Sequence, residues 1–162
     1  MRRSINQRGA TGGRKALSGR KDRGAVQIEF ILSILTVLFV MFAMWELIMI
    51  VHTMNVLSDA AKEGVRYAIV HGNRNTNCSG PVSTPECTDP DPTGTRVAAV
   101  VLDYAQYSLH DISAITVNVT YPDGGNVPPN RVRVTVAYDF VPYTALNFRP
   151  TLRGAAEGRI VF

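Results

Sequence analysis

The sequence predicts an α+β fold: a long N-terminal helix, its second half packed on a small three-stranded antiparallel sheet, with a second short helix beside it. Three observations predict it. From Ile28 to Trp45, 18 residues, the only charged side chain is Glu29. From Met54 to Ile69 apolar residues recur at spacings of three and four, the period of an amphipathic helix. After Ile115 the period switches to two, in three separate runs.

Residues 1–24 precede the first helix and form a basic leader. They hold eight basic residues against Asp22 alone, a net of +7, whereas the rest of the chain carries 9 basic and 12 acidic residues. The leader is rich in Gly, Ser, Arg and Lys and nearly devoid of apolar side chains, so disorder is expected. Such a tail can serve as a nucleic-acid arm. Here it abuts an apolar helix, and basic flanks of a membrane span stay in the cytoplasm. The expected topology therefore has the N-terminus inside and the C-terminal domain outside, with no nucleic-acid partner.

The first helix is expected over about 45 residues, roughly 70 Å, since no proline interrupts Ala25 to His71 and Gly72-Asn73 is a plausible stop. Residues 25–51 are apolar all round and long enough to span a bilayer as a single pass. No small-x-small site follows the run, so the span is expected to stay as an anchor. Residues 52–72 continue the helix outside the membrane. There Met54, Leu57, Ala61, Val65, Ala68 and Ile69 form a stripe that needs a globular layer. Asn55, Ser58, Asp59, Lys62, Glu63 and Arg66 fill the other face, with Asp59–Lys62 and Glu63–Arg66 at pairing distance. Two carboxylates stand out. Glu29 opens the apolar run, where an acid costs energy and asks for a partner; at mid-bilayer the cost is about 2.5–3.5 kcal/mol. Glu46, 17 residues on, is either an interfacial carboxylate beside Trp45 or a contact for a partner membrane helix.

Residues 73–162 are expected to form an extracytoplasmic α+β domain. It starts with a loop over 73–94, dense in Asn, Gly and Pro. Cys78 and Cys87 read as one disulfide if the compartment is oxidising, or as two free thiols otherwise. Their spacing suits neither zinc nor redox Cys-x2-Cys motifs. Glu86, Asp89 and Asp91 lack the ligand and glycine arrangement of a calcium loop and read as a solvated loop. A second helix is expected over Arg96–Leu109, N-capped by Thr95, with Val97, Val100, Val101, Tyr104 and Ser108 on one face. The strands follow. Ile115–Tyr121 and Val132–Phe140 make a hairpin through the turn residues Pro122-Asp123-Gly124-Gly125. Leu152–Phe162 is the third strand, whose face Leu152, Gly154, Ala156, Gly158, Ile160 is small enough for a helix to approach closely.

Gly24-Ala25-Val26-Gln27-Ile28-Glu29-Phe30 resembles the processing site of type IV prepilins. More narrowly, the stretch from Arg23 to about Gly72 resembles TadE-type pseudopilins of the Tad (Flp) pilus system. Glu29-Phe30, Glu46 and Ala60-Ala61-Lys62-Glu63-Gly64-Val65-Arg66-Tyr67-Ala68 carry that match. The resemblance implies a pilin-like architecture and cleavage after Gly24 by a membrane prepilin peptidase. It implies a processing site made by Gly24, Ala25, Glu29 and Phe30, and pairing of Glu29 with the freed amine of Ala25 in a neighbouring subunit. It makes the bilayer, the peptidase and other pilus subunits and pseudopilins the expected partners.

No catalytic constellation is legible. His52, His71 and His110 are isolated, and phosphate loops and serine elbows are missing. The chain reads as a non-enzymatic minor pseudopilin of the cytoplasmic membrane, taking part in pilus assembly, with no cofactor, metal or small-molecule substrate. The rival reading is an uncleaved, signal-anchored extracytoplasmic binding or sensor protein.

Overall fold

The computed structural model describes residues 22–143 and 149–161. Residues 1–21, most of the expected disordered leader, lie outside the described residues. The chain divides into two units, residues 1–41 and 42–162.

The first helix, α1, is Asp22–Val70, 49 residues. It starts three residues before Ala25, so Gly24 lies in its first turn. Of the first unit, the described residues are helix alone, and their apolar side chains are exposed throughout. Among the described residues this is the one helix long and apolar enough to cross a membrane. The mean hydropathy of its most apolar 18-residue window is 2.5, with 6% of that window buried. Side chains such as Phe30, Leu35 and Phe39 have no protein core to enter. Lipid or other helices must cover them.

The second unit holds the globular domain. α2 is Thr95–Ala105, β1 Ile115–Thr120, β2 Arg131–Asp139 and β3 Thr151–Arg159, with a short 3-10 turn at Ile112–Ala114. The sheet is antiparallel in the order β1-β2-β3. Ile115 pairs with Tyr138 and Thr120 with Arg133; Arg131 pairs with Arg159 and Asp139 with Thr151. The alternation in sequence becomes alternation in burial. Val132, Val134 and Val136 are fully buried beneath the helices, while Arg131 and Arg133 face out and pair with Glu157 at 3.4 and 2.7 Å.

The expected helix stripe forms, with additions. Leu57, Ala61, Val65 and Ala68 are buried, joined by Val56, Ala60 and Gly64. Met54 is a correction: it is exposed, because residues 53, 56 and 57 take the face toward the sheet. Small residues set the packing distance. A Cβ on Gly154 would stand 2.6 Å from the backbone of Leu57 and Ser58, and one on Gly64 would stand 2.6 Å from Val101. Glycine is therefore required where β3 and α2 press against α1. The expected pairs Asp59–Lys62 and Glu63–Arg66 form at 2.9 and 3.1 Å, on the solvent side.

α2 departs from expectation at both ends. Thr95 is not its N-cap. That position is Gly94, with φ 69°, and no side chain of its own caps the helix. Asp91 does that work from outside, accepting the N–H of Arg96 at 2.7 Å. At the other end the helix stops at Ala105, four residues before Leu109. Tyr104 and Ser108 are exposed and Ala105 and Leu109 are buried in their place.

Candidate functional site

The site predicted from sequence sits at the start of α1. Ala25, Glu29, Ser33 and Thr36 recur at four, four and three residues, so they share one helix face. With Ile28 and Leu32 they line a shallow groove. The Thr36 hydroxyl donates to the carbonyl of Leu32 at 2.8 Å, satisfying itself within the helix. Glu29 is exposed, and among the described residues no cation stands within salt-bridge distance of it. Phe30, the next residue, points about 100° away around the helix and is exposed on an apolar face. The motif residues are thus split between a mostly apolar groove that carries the Glu29 carboxylate and an apolar flank that carries Phe30. Ser33 and Thr36 are the members that sequence reading passed over; their spacing from Glu29 was the available signal.

Among the described residues nothing requires Gly24 to be glycine. A Cβ there would meet nothing within 4 Å, and its φ is not positive. In a helix it costs about 1 kcal/mol against alanine.

Glu46 is placed differently from Glu29. It is 6% exposed, while its neighbours Trp45 and Leu47 are each about 60% exposed. The domain's cover of α1 therefore reaches down to Glu46, six residues before residue 52. Thr53, also buried, donates its hydroxyl to the carbonyl of Met49 at 2.9 Å.

The loop after α1 is tied down on all sides. Cys78 and Cys87 stand at disulfide distance, with Cα atoms 5.6 Å apart. Arg96 donates to the carbonyls of Cys78 and Asp89, at 3.1 and 2.8 Å, and pairs with the Asp89 carboxylate. The solvated reading of the acidic cluster holds for Glu86 and Asp89, which are exposed, but fails for Asp91, which is buried. Burial pushes the Asp91 carboxyl up. The N–H groups of Arg96 and Thr95 and the Thr93 and Thr95 hydroxyls outweigh this and hold it below the usual carboxylate range. Ser79 ends α1: its hydroxyl donates to the carbonyls of Ala68 and His71, at 3.2 and 2.9 Å. Gly72 was the expected stop. Ser79 gave no sequence signal, since it acts across a loop. Among the described residues no group of three or more His, Cys, Asp or Glu side chains is arranged to hold a metal ion.

Residues 24–66 match the model of the TadE-like protein family. The match begins at Gly24 and ends inside α1, so it covers the groove, Glu46 and much of the buried stripe, and none of the sheet. Proteins of the TadE-like family are pilus components, and one apolar N-terminal helix suits a single-pass membrane anchor. No curated protein and no solved structure matches the chain.

Proposed function

We propose that this TadE-like chain is a minor pseudopilin, made as a precursor in the cytoplasmic membrane and cut between Gly24 and Ala25 by a prepilin peptidase. The observation that carries the reading is Gly24 itself. It tolerates a Cβ by the protein's own packing, it costs helix stability, and it stands at the first residue of the TadE-like match. An external reader of the site supplies the missing reason. The bond to be cut lies in the first turn of α1, where N–H groups lack helical partners and the backbone opens most readily.

Cleavage would leave the amine of Ala25 on the same face as Glu29, Ser33 and Thr36. A carboxylate and an ammonium from adjacent subunits attract strongly in a low-dielectric bundle, and each alone is penalised. Glu29 would then set the axial register between helices while the domain presents a surface to partners. The positive-inside rule places the domain outside the cytoplasm, an oxidising space in which Cys78 and Cys87 would be joined. The function is association with the bilayer and with other pilus subunits, not catalysis.

The test is the mass and N-terminal sequence of protein purified from membranes of a strain that makes the pilus. The mature chain is expected to begin at Ala25, and Gly24→Leu is expected to retain the full leader. A mature protein still carrying residues 1–24 would leave the uncleaved anchored binding protein as the correct reading.

A further inference from the structure

Asp89-Pro90-Asp91-Pro92 holds two Asp-Pro bonds in succession. Of the peptide bonds in a chain, Asp-Pro is the one most readily cut by its own side chain. The carboxylate can reach its own main-chain carbonyl carbon by closing a succinic-anhydride ring. The proline nitrogen, part of a tertiary amide, is the better leaving group.

The two bonds are held differently. At Asp91 the carboxylate is committed to the start of α2. It accepts the N–H of Arg96 at 2.7 Å and the Thr93 hydroxyl at 3.2 Å. Turning it onto its own carbonyl would uncap the helix. At Asp89 both reacting groups face one guanidinium. Arg96 Nη1 donates to the Asp89 carbonyl oxygen at 2.8 Å, and Nη2 of the same side chain pairs with the Asp89 carboxylate. Arg96 is itself fixed, by its backbone in the first turn of α2 and by a bond from Nη1 to the carbonyl of Cys78 at 3.1 Å. The Asp89 side chain is 67% exposed, so water reaches it.

We infer that Asp89-Pro90 is a self-cleavage site, with Asp89 as the nucleophile and Arg96 as the stabiliser of the oxyanion. A carboxylate oxygen of Asp89 bonds to its own carbonyl carbon, and the carbonyl π electrons move onto the carbonyl oxygen. The double bond re-forms as the C–N bond to Pro90 breaks. The Pro90 nitrogen keeps the bonding pair, takes a proton from solvent and leaves as a free amine. Water then opens the cyclic anhydride, which restores the Asp89 side chain and leaves a new α-carboxyl group. The net change is one water consumed. During the attack negative charge moves from the carboxylate to the carbonyl oxygen, that is, from Nη2 to Nη1 of one cation. The partner of the ground state is thus already in place for the transition state. A planar fork that holds both groups also supplies their alignment.

α1 and the Cys78–Cys87 pair lie before the cut, and α2 and the strands β1, β2 and β3 lie after it. With both cysteines on one side, a disulfide between them would not join the halves. The halves would stay docked through the shared core of Leu57, Ala61, Val65, Val132, Val134 and Val136. Backbone links such as the Gly80 N–H to the Asp91 carbonyl, at 3.0 Å, would help. Cleavage turns a covalent tether between helix and sheet into a packed joint. It is independent of the cut proposed after Gly24.

The test follows the purified full chain by mass spectrometry, in detergent and in mildly acidic buffer in which circular dichroism shows the fold intact. A fragment beginning at Pro90 is expected, formed about 10²-fold faster than one beginning at Pro92. The same chain in denaturant is expected to be cut slowly and at similar rates at both bonds. Arg96→Gln should slow the cut after Asp89 by about 10²-fold, the loss typical of one oxyanion donor, and Asp89→Ala should abolish it. Native protein that stays whole while the unfolded chain is cut, or that is cut equally at both bonds, would overturn the inference. So would Arg96→Gln that is cut at the parental rate, and Arg96 would then be a clamp on the loop and nothing more. The native-against-unfolded comparison uses the unmutated chain, so it decides even where a variant fails to fold.

Discussion

Gly154→Ala tests the contact on which the domain depends, the seam between β3 and α1. The added carbon would stand 2.6 Å from the carbonyl carbon of Leu57, 2.6 Å from the amide nitrogen of Ser58 and 2.8 Å from the Leu57 oxygen. Ordinary carbon contacts lie at about 3.5–4.0 Å, so strand and helix must part by about 1 Å. None of the three atoms belongs to a side chain that could rotate away. Overpacking costs about 1–3 kcal/mol, and a clash with backbone belongs at the top of that range. The loss of unfolded-chain freedom on replacing glycine gives back about 0.4–1 kcal/mol. The expected net is a destabilisation of about 2 kcal/mol, or roughly 8 °C in melting temperature for a unit of this size. Gly158→Ala is the internal control. Its Cβ would meet Ile69 Cδ1 at 2.6 Å and Val65 Cγ1 at 2.7 Å, the tips of side chains that can move. It should cost about 1 kcal/mol or less. Calorimetry of the full chain in detergent measures both. A Gly154→Ala melting temperature within about 2 °C of the parent, or Gly158→Ala as the more damaging change, would refute the seam.

Glu29→Gln should insert normally, because a charge cost is removed, and should still be cut after Gly24. Surface pilus yield should fall sharply, and normal piliation at normal abundance would reduce Glu29 to an interfacial residue. Cys78 and Cys87 should resist thiol labelling without reductant, and reduction should cost the domain about 2–3 kcal/mol for so short a loop; free labelling of both in native protein would show that the loop is held by its hydrogen bonds without a disulfide. Asp91→Ala should destabilise by about 1 kcal/mol, the scale of a helix cap. The domain should also be acid-labile. Asp91 is held below the usual carboxylate range, and Asp123 is held at about 2 by hydrogen bonds from the Arg131 side chain and backbone. Depressed carboxyl groups contribute stability above their unfolded value of 3.8, and that stability is lost as pH falls toward the folded values. Melting temperature should hold flat above about pH 5 and drop toward pH 2, with a smaller drop in Asp91→Ala.

The sequence by itself determined every element that rests on a local period. The unbroken apolar run made one long helix with exposed apolar sides, the threes and fours of Leu57, Ala61, Val65 and Ala68 made one buried face, and alternating valines made β2. The motif proposed for processing was legible for the same reason, since Gly24, Ala25 and Glu29 are neighbours along one chain. Other features required the tertiary structure because they join residues far apart. Asp91 caps α2 across five residues, and Ser79 closes α1 across eight and eleven. A period count put Met54 and Tyr104 inward, yet both face out: Thr53, Val56 and Leu57 take the buried rows of α1, and Val97, Val101 and Ala105 that of α2. Glu46 shows the limit most clearly. From sequence it was an interfacial acid or a partner contact with nothing to choose between them. Its burial was decided only by how the rest of the chain packs around α1, which no local pattern in the sequence displays.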